Sequence, residues 1–467
     1  MHATSAPSLR WWLVLAAVLA ALKLVIGVAD PTVRFFLGDS ESYLHSAITG
    51  WIPPDRSFVY PWLLKVGVVA FGSLTALVVV QSLCGVATAL IAAGIARSLG
   101  VATRTCAIVA VLVALDPSQL FYERMVMAES FGTLAFVSMI ACGVAHARHR
   151  DARWLVPMAI FGALTVALRM SLLPVVLGFA LLPPLATLLA PDARRDWRRT
   201  AAHLMLALLA TGLAHAAYQR LYGHVTAMEP TYLKASGTFR LGLVAPLVKP
   251  EHLERYGLSR DFLATIGPDL ANPRTREQQL WLPDGLIHAL KRELGDERAE
   301  VVARKLAARA LRDDIPGFLS MQAATVADYF VATETAPRLM DDLGVRPLSD
   351  GMSKTVQETF DHDASATHDA RNPVARWFLI AAPVWLRFCL FALAPLALAV
   401  LLRCPRERRA AAAVFALAAC GLVAGHMLFS HIVSFRYLHP FAPLTLITLA
   451  AVFTRHADRS TSATTHS

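Results

Sequence analysis

Asp39, Glu41 and Glu129 are carboxylates, and Arg56, Arg169 and Arg436 guanidinium groups, that the sequence sets at the edges of long apolar runs. Ionisable groups at a membrane boundary are costly unless they face water, a partner or a substrate, which makes each a functional candidate. The two residue types suit complementary tasks. A positioned carboxylate can take the proton of an attacking hydroxyl. The planar fork of Arg can hold a phosphate oxygen and neutralise it as a leaving group.

Each candidate also has a purely structural reading. Asp39 lies in Gly38-Asp39-Ser40-Glu41-Ser42-Tyr43, directly after the first apolar run. There it either supplies a base or caps a short amphipathic helix over Glu41–Gly50. Arg56 follows in Asp55-Arg56-Ser57-Phe58-Val59-Tyr60-Pro61, either as a phosphate ligand or in a simple turn, with Tyr60 and Trp62 suited to an interfacial aromatic belt. Leu115-Asp116-Pro117 forces a turn that leads through Phe121-Tyr122-Glu123-Arg124 to Glu129. Glu129 is a second site acid or a charge favoured by a helix N-terminus. Arg169 in Ala167-Leu168-Arg169-Met170-Ser171 and Arg436-Tyr437 before Pro440 either bind an anion or snorkel. His431 and His439 read as polar caps rather than catalytic groups, and no Gly-x-Ser-x-Gly, Walker or His-Glu-x-x-His motif occurs. The six cysteines avoid the long polar segment and show no Cys-x-x-Cys spacing, which argues against a disulfide framework and against a cysteine metal site.

The elements that must position these groups follow from composition. The chain has 467 residues, 56% hydrophobic and 17% charged, with a mean hydropathy of +0.49, where soluble domains carry closer to a quarter charged residues. Apolar runs long enough to cross a bilayer recur. We therefore expect an all-α polytopic membrane protein with about ten transmembrane helices, near 11–29, 73–97, 104–119, 126–145, 154–169, 171–189, 201–219, 377–402, 409–430 and 437–454. Residues 59–72 are apolar but short and read as an interfacial helix. The run from Trp11 to Ala29 reads as an uncleaved first span, although Gly27-Val28-Ala29 loosely resembles a cleavage site; Lys23 within it either faces the bundle interior or snorkels.

The net charge of +10 is not one patch, which excludes nucleic acid as a partner. It collects in alternate short loops: Arg97 with Arg104; Arg148, Arg150 and Arg153; Arg194, Arg195, Arg198 and Arg199; Arg403, Arg406, Arg408 and Arg409; and Arg455 with Arg459. Those loops read as cytoplasmic, so the candidate groups fall on the outer side. Three parts result: an N-terminal transmembrane module, 1–219, with a catalytic first outer loop over 30–72; an extracytoplasmic, mainly helical insertion, 220–376; and a C-terminal transmembrane module, 377–467. Within the insertion, Asp296 to Leu311 and Pro316 to Phe330 have helical spacing, while 335–375, rich in Asp, Thr, Ser and His, reads as loop or mobile lid. The inverted repeats of many transporters are not apparent.

In this order and on this side, the motifs resemble those of the GT-C glycosyltransferase superfamily, nearest to bacterial members akin to the protein O-mannosyltransferases and the lipid A aminoarabinose transferase. Asp39 through Ala47 resembles the acidic motif of the first outer loop, although Ser40 separates Asp39 from Glu41 where Asp-Glu is commonly adjacent. Arg56 through Leu64 resembles the Arg…Tyr-Pro segment, Phe121 through Ser130 the second acidic motif, and Arg436-Tyr437 with Pro440 and Pro443 the C-terminal Arg-Tyr motif. Arg169 stands where such proteins often carry Arg between two spans.

The resemblance implies an enzyme, a hexosyl- or pentosyltransferase. It would move a sugar, with inversion, from a polyprenyl-phosphate donor to a glycan, lipid or protein hydroxyl at the outer face of a bacterial inner membrane. Asp39 would be the base, with Glu129 positioning substrate. Arg56, Arg169 and Arg436 would bind the departing phosphate, with Glu41, Tyr43, Tyr60 and Tyr437 completing the binding surface. No metal ligand is assigned, although some superfamily members use a divalent metal. The alternative is a transporter or flippase of a lipid-linked glycan.

Overall fold

The computed structural model describes residues 8–190, 196–344, 347–364 and 372–453; Arg194, Arg195, Arg455 and Arg459 lie outside the described residues. The chain is all-α, and the described residues hold one extended pairing, a single bridge between Arg34 and Met125. In chain order the bundle begins with α1 (Leu9–Ala29), α2 (Leu37–Thr49), α3 (Val59–Gly67), α4 (Leu74–Ser98), α5 (Thr103–Ala114) and α6 (Pro117–Tyr122). It continues with α7 (Glu129–His149), α8 (Leu155–Leu168), α9 (Leu173–Phe179), α10 (Leu182–Ala186) and α11 (Trp197–Thr226). The insertion supplies α12 (Ser236–Val244), α13 (Pro250–Leu253), α14 (Arg276–Trp281), α15 (Leu286–Leu294), α16 (Asp296–Asp313), α17 (Ile315–Asp328), α18 (Ala332–Asp342) and α19 (Asp350–Phe360). The chain then returns through α20 (Pro373–Arg403), α21 (Arg409–Phe429), α22 (Phe435–Leu438) and α23 (Phe441–Phe453).

Among the described residues seven segments are long and apolar enough to cross a membrane: 9–29, 74–98, 129–149, 170–189, 197–226, 373–403 and 406–429. Helices stand at the other three expected spans too, but they are shorter. Pro117 divides the third into α5 and α6, with Asp116 capping α6 through bonds of 3.0 Å from Ser118 N and Gln119 N. The last is α22 followed by α23. Interfacial α3 falls inside the expected 59–72.

The Arg-rich loops gather at one end of the bundle. Arg199 Nη2 donates to Arg150 O at 2.7 Å, and Arg408 lies against Gly100. The candidate groups gather at the other end, where α1 finishes beside α6 and α20. Asp30 Oδ2 accepts from Val374 N at 3.0 Å, in the first turn of α20, and Arg124 donates to Asp30 O at 2.9 Å and to Ile26 O at 3.2 Å.

Lys23 faces the bundle interior. Its ammonium is buried against both oxygens of Glu123, at 2.7 and 2.8 Å, and donates to Ala114 O at 2.6 Å. Glu123 also accepts from Gln119 Nε2 at 2.8 Å, and Gln119 Oε1 meets His439 Nε2 at 2.8 Å. One polar chain thus ties α1 to α6 and to the turn before α23.

The insertion packs its own apolar core, in which Leu241, Leu280, Leu290 and Leu306 are buried. The stretch 335–375 departs from the expected loop, because most of α18 and all of α19 fall within it; 345–346 and 365–371 lie outside the described residues. α19 buries Met352, Val356 and Phe360, four residues apart, against residues of the 30–72 segment such as Phe35, Leu44 and Leu64. α18 packs against α22. Gly344, just beyond α18, has φ +75°, and a Cβ there would lie 2.5 Å from Phe35 O, so a glycine lets the end of α18 press on the chain entering α2.

Candidate active site

Asp39 is the third residue of α2 rather than its cap. Phe36 holds the cap position, and Ser40 Oγ accepts from Phe36 N at 2.7 Å and donates to Val126 O at 2.9 Å. Ser40 thereby closes the helix start, leaving both oxygens of Asp39 for cations. Arg56 Nη2 donates to Oδ1, and Arg436 Nη1 donates to Oδ2 at 2.7 Å. Burial raises the Asp39 carboxyl, but Arg56 and Arg436 outweigh it and hold the group below its ordinary value.

Glu129 opens α7, its oxygens likewise not used as a cap. Oε1 accepts from Arg169 Nη2 at 3.2 Å and lies 3.6 Å from Arg436 Nε, while Oε2 is buried without a partner. Arg169, where α8 ends, also donates to Arg436 O at 2.8 Å. Asp55 Oδ2 stands 3.2 Å from Arg56 Nη1, so three carboxylates and three guanidinium groups, from α2, the 50–58 loop, α7, the α8 terminus and α22, form one network. Its three acids and three guanidinium groups balance in charge.

Aromatic rings wall the network. The Arg436 guanidinium lies 4.4 Å from the Phe36 ring centroid and 5.1 Å from that of Tyr437. Tyr43 lies 5.7 Å from the Arg56 guanidinium and packs edge-on against buried Tyr60 at 4.8 Å.

Glu41 points elsewhere. It accepts from Ser349 Oγ at 2.5 Å and from Ser349 N at 3.3 Å, clasping the N-terminus of α19. Of the sequence candidates, Asp39, Tyr43, Arg56, Tyr60, Glu129, Arg169, Arg436 and Tyr437 come together, and Glu41 faces the insertion. His431 is pushed down to about 3 by burial and by Arg276, Arg338 and Arg436, and stays neutral. Among the described residues no group of three or more His, Cys, Asp or Glu side chains is placed to hold a metal ion.

Sequence reasoning missed Asp342, the last residue of α18. It is 1% exposed, and its charge falls within electrostatic reach of Arg436 and Glu129. Its only sequence signal is an i, i+4, i+7 face of Thr335, Leu339 and Asp342, in which the final position is acidic. Tyr122, from α6, is within reach of Asp342, Glu129, Arg436 and Arg169, and its hydroxyl has no partner.

No family model and no curated protein matches the chain. Among solved structures it is similar to ArnT from Cupriavidus metallidurans bound to undecaprenyl phosphate, at 14% identity and a TM-score of 0.36, covering 98% of this chain and 80% of that one. It is also similar to the same protein in the apo state, at 15% identity and a TM-score of 0.34, covering 97% and 79%.

Proposed function

We propose that this chain is an integral membrane glycosyltransferase that moves a sugar from a polyprenyl-phosphate donor to a hydroxyl acceptor, at the outer face of a bacterial inner membrane. The observation that carries the reading is the network of Arg56, Arg169 and Arg436 around Asp39 and Glu129, at the bundle end opposite the Arg-rich loops. Its three converging guanidinium groups suit a phosphodiester, whose single negative charge can replace a carboxylate on them. The apolar helices around it offer a lipid tail its own solvent.

The reaction balances on these groups. The donor phosphate takes guanidinium donors of Arg56 and Arg436 that otherwise hold Asp39. Losing those partners raises the basicity of Asp39, which lies too low for a good base while both are bound. Asp39 then accepts the acceptor hydroxyl proton as the acceptor oxygen bonds to the anomeric carbon. The bond from that carbon to the phosphate oxygen breaks, its electron pair stays on the phosphate, and Arg436 and Arg169 neutralise the added charge. Direct displacement inverts the anomeric centre. Glu129 orients Arg169 and Arg436 through its bound oxygen and offers Oε2 to substrate.

The test is a transfer assay with purified protein in detergent, a panel of polyprenyl-phosphate sugars and lipid acceptors. Wild type should consume one donor, and Asp39→Asn should lose roughly 10²–10⁴-fold in kcat while remaining folded. Undiminished turnover in Asp39→Asn would remove Asp39 as the base. Arg436→Ala should weaken donor binding by roughly 10–100-fold, the worth of a charge-assisted bond, with less effect on the acceptor.

A further inference from the structure

The insertion delivers a third carboxyl to this site, and the reaction described above does not use it. Asp342 ends α18, which packs on α22, the helix that carries Arg436. Two residues later Gly344 presses on Phe35, whose neighbour Phe36 lies under the Arg436 guanidinium. Both Asp342 oxygens are buried with no hydrogen-bond partner, and they, the unpartnered Tyr122 hydroxyl and Glu129 Oε2 lie within electrostatic reach of the Arg436 guanidinium. Four buried polar atoms without partners therefore lie within electrostatic reach of the cations of the proposed phosphate site. Buried polar atoms are normally satisfied, so a cluster of orphans beside a functional network marks where a polar ligand completes the bonding.

We propose that Asp342 contacts the transferred sugar, hydrogen-bonding its ring hydroxyls while Arg436 holds the phosphate; this rests on the glycosyltransferase reading above. The anomeric carbon is one bond from the phosphate oxygen, so a group that borders Arg436 borders the sugar. The form of Asp342 fits the task. Burial, Glu129 and Asp341 push its carboxyl up to about 8, with Arg436 and Arg338 pulling the other way, and Tyr122 and Tyr329 are the remaining titratable groups facing it. At neutral pH it is a carboxylic acid that both donates and accepts, as a hydroxyl requires. An ammonium group is disfavoured there by the surrounding guanidinium groups.

The test compares binding of undecaprenyl phosphate with binding of undecaprenyl-phosphate glucose, mannose and arabinose to the full chain in detergent. Asp342→Ala should bind the sugar-free lipid as wild type does. It should lose roughly tenfold in the preference for the best-bound sugar lipid over the bare one. Asp342→Asn, whose neutral amide also donates and accepts, should keep that preference at pH 7 and still at pH 9, where wild type loses it. An unchanged preference in Asp342→Ala overturns the proposal, and so does equal loss in both variants. Wild-type protein that binds neither kind of lipid overturns this proposal together with the glycosyltransferase reading; wild-type turnover with an indifferent Asp342→Ala overturns this proposal alone.

Discussion

At the scale of single residues, the site divides its acids by environment. Asp39 is held low by two guanidinium groups and Asp342 is held high by burial, so the two titrate at opposite ends of the working range. For the free enzyme, kcat/KM should stay level down to below the ordinary carboxylate range and fall as pH rises through about 8, where Asp342 ionises. Asp342→Asn should remove the alkaline limb in a pH–rate profile. Folding stability gives a second reading of the same proton. An unfolded Asp titrates near ~3.9, so between about pH 4 and 8 the native state binds more protons, and stability contributed by Asp342 is lost as pH rises through that window. Asp342→Asn lacks that loss, so its Tm in detergent should match wild type near pH 4 and exceed it by about 5 °C or more at pH 8. A constant difference across the range would place the Asp342 titration elsewhere. Arg436, Arg338, Glu129, Asp341, Tyr122 and Tyr329 face this group, and all are common to both proteins.

At the scale of elements, buried charge fixes how the helices meet. Lys23→Met would leave Glu123 fully buried without its cation and should cost ~3–5 kcal/mol, whereas Lys23→Met with Glu123→Met should recover most of it. Thermal unfolding of the two variants checks this, and equal losses would mean that the pair does not couple α1 to α6. The same elements show what a sequence can reveal. Asp116-Pro117 reads as a turn, and the break is there, but the chain resumes at once as α6, because Asp116 caps it and Pro suits its first position. Asp39 and Arg436 were legible as candidates because charge beside an apolar run is rare, but their pairing spans 397 positions, and no local pattern carries that information. The stretch 335–375 reads as loop because Asp, Thr, Ser and His are frequent in it, yet α18 and α19 form there. The Met352, Val356 and Phe360 spacing was the signal that outweighed composition in α19. In α18 the inward position is itself an acid, which a search for apolar faces passes over.

At the scale of the whole molecule, the bundle supplies the guanidinium groups proposed to bind phosphate, and the insertion supplies Asp342 and the Ser349 that clasps Glu41. In the proposed orientation a cysteine at exposed Glu297 should react with a membrane-impermeant maleimide in intact cells, and one at exposed Arg406 only after permeabilisation. The reverse pattern would invert the topology and the proposed function with it. The Lys23–Glu123 pair also bears on how the chain is made. Its partners are 100 residues apart, and an ammonium in the middle of a span costs ~2.5–3.5 kcal/mol on insertion. During synthesis α1 emerges from the ribosome long before the acid that neutralises it. Until α6 arrives, Lys23 is left to snorkel toward water or to draw α1 shallow in the bilayer. In chains truncated before residue 123, Lys23 should therefore react with a water-soluble amine reagent, and extension past Glu123 should protect it, so that α1 reaches its final seat through the same contact that aligns the site-bearing turn.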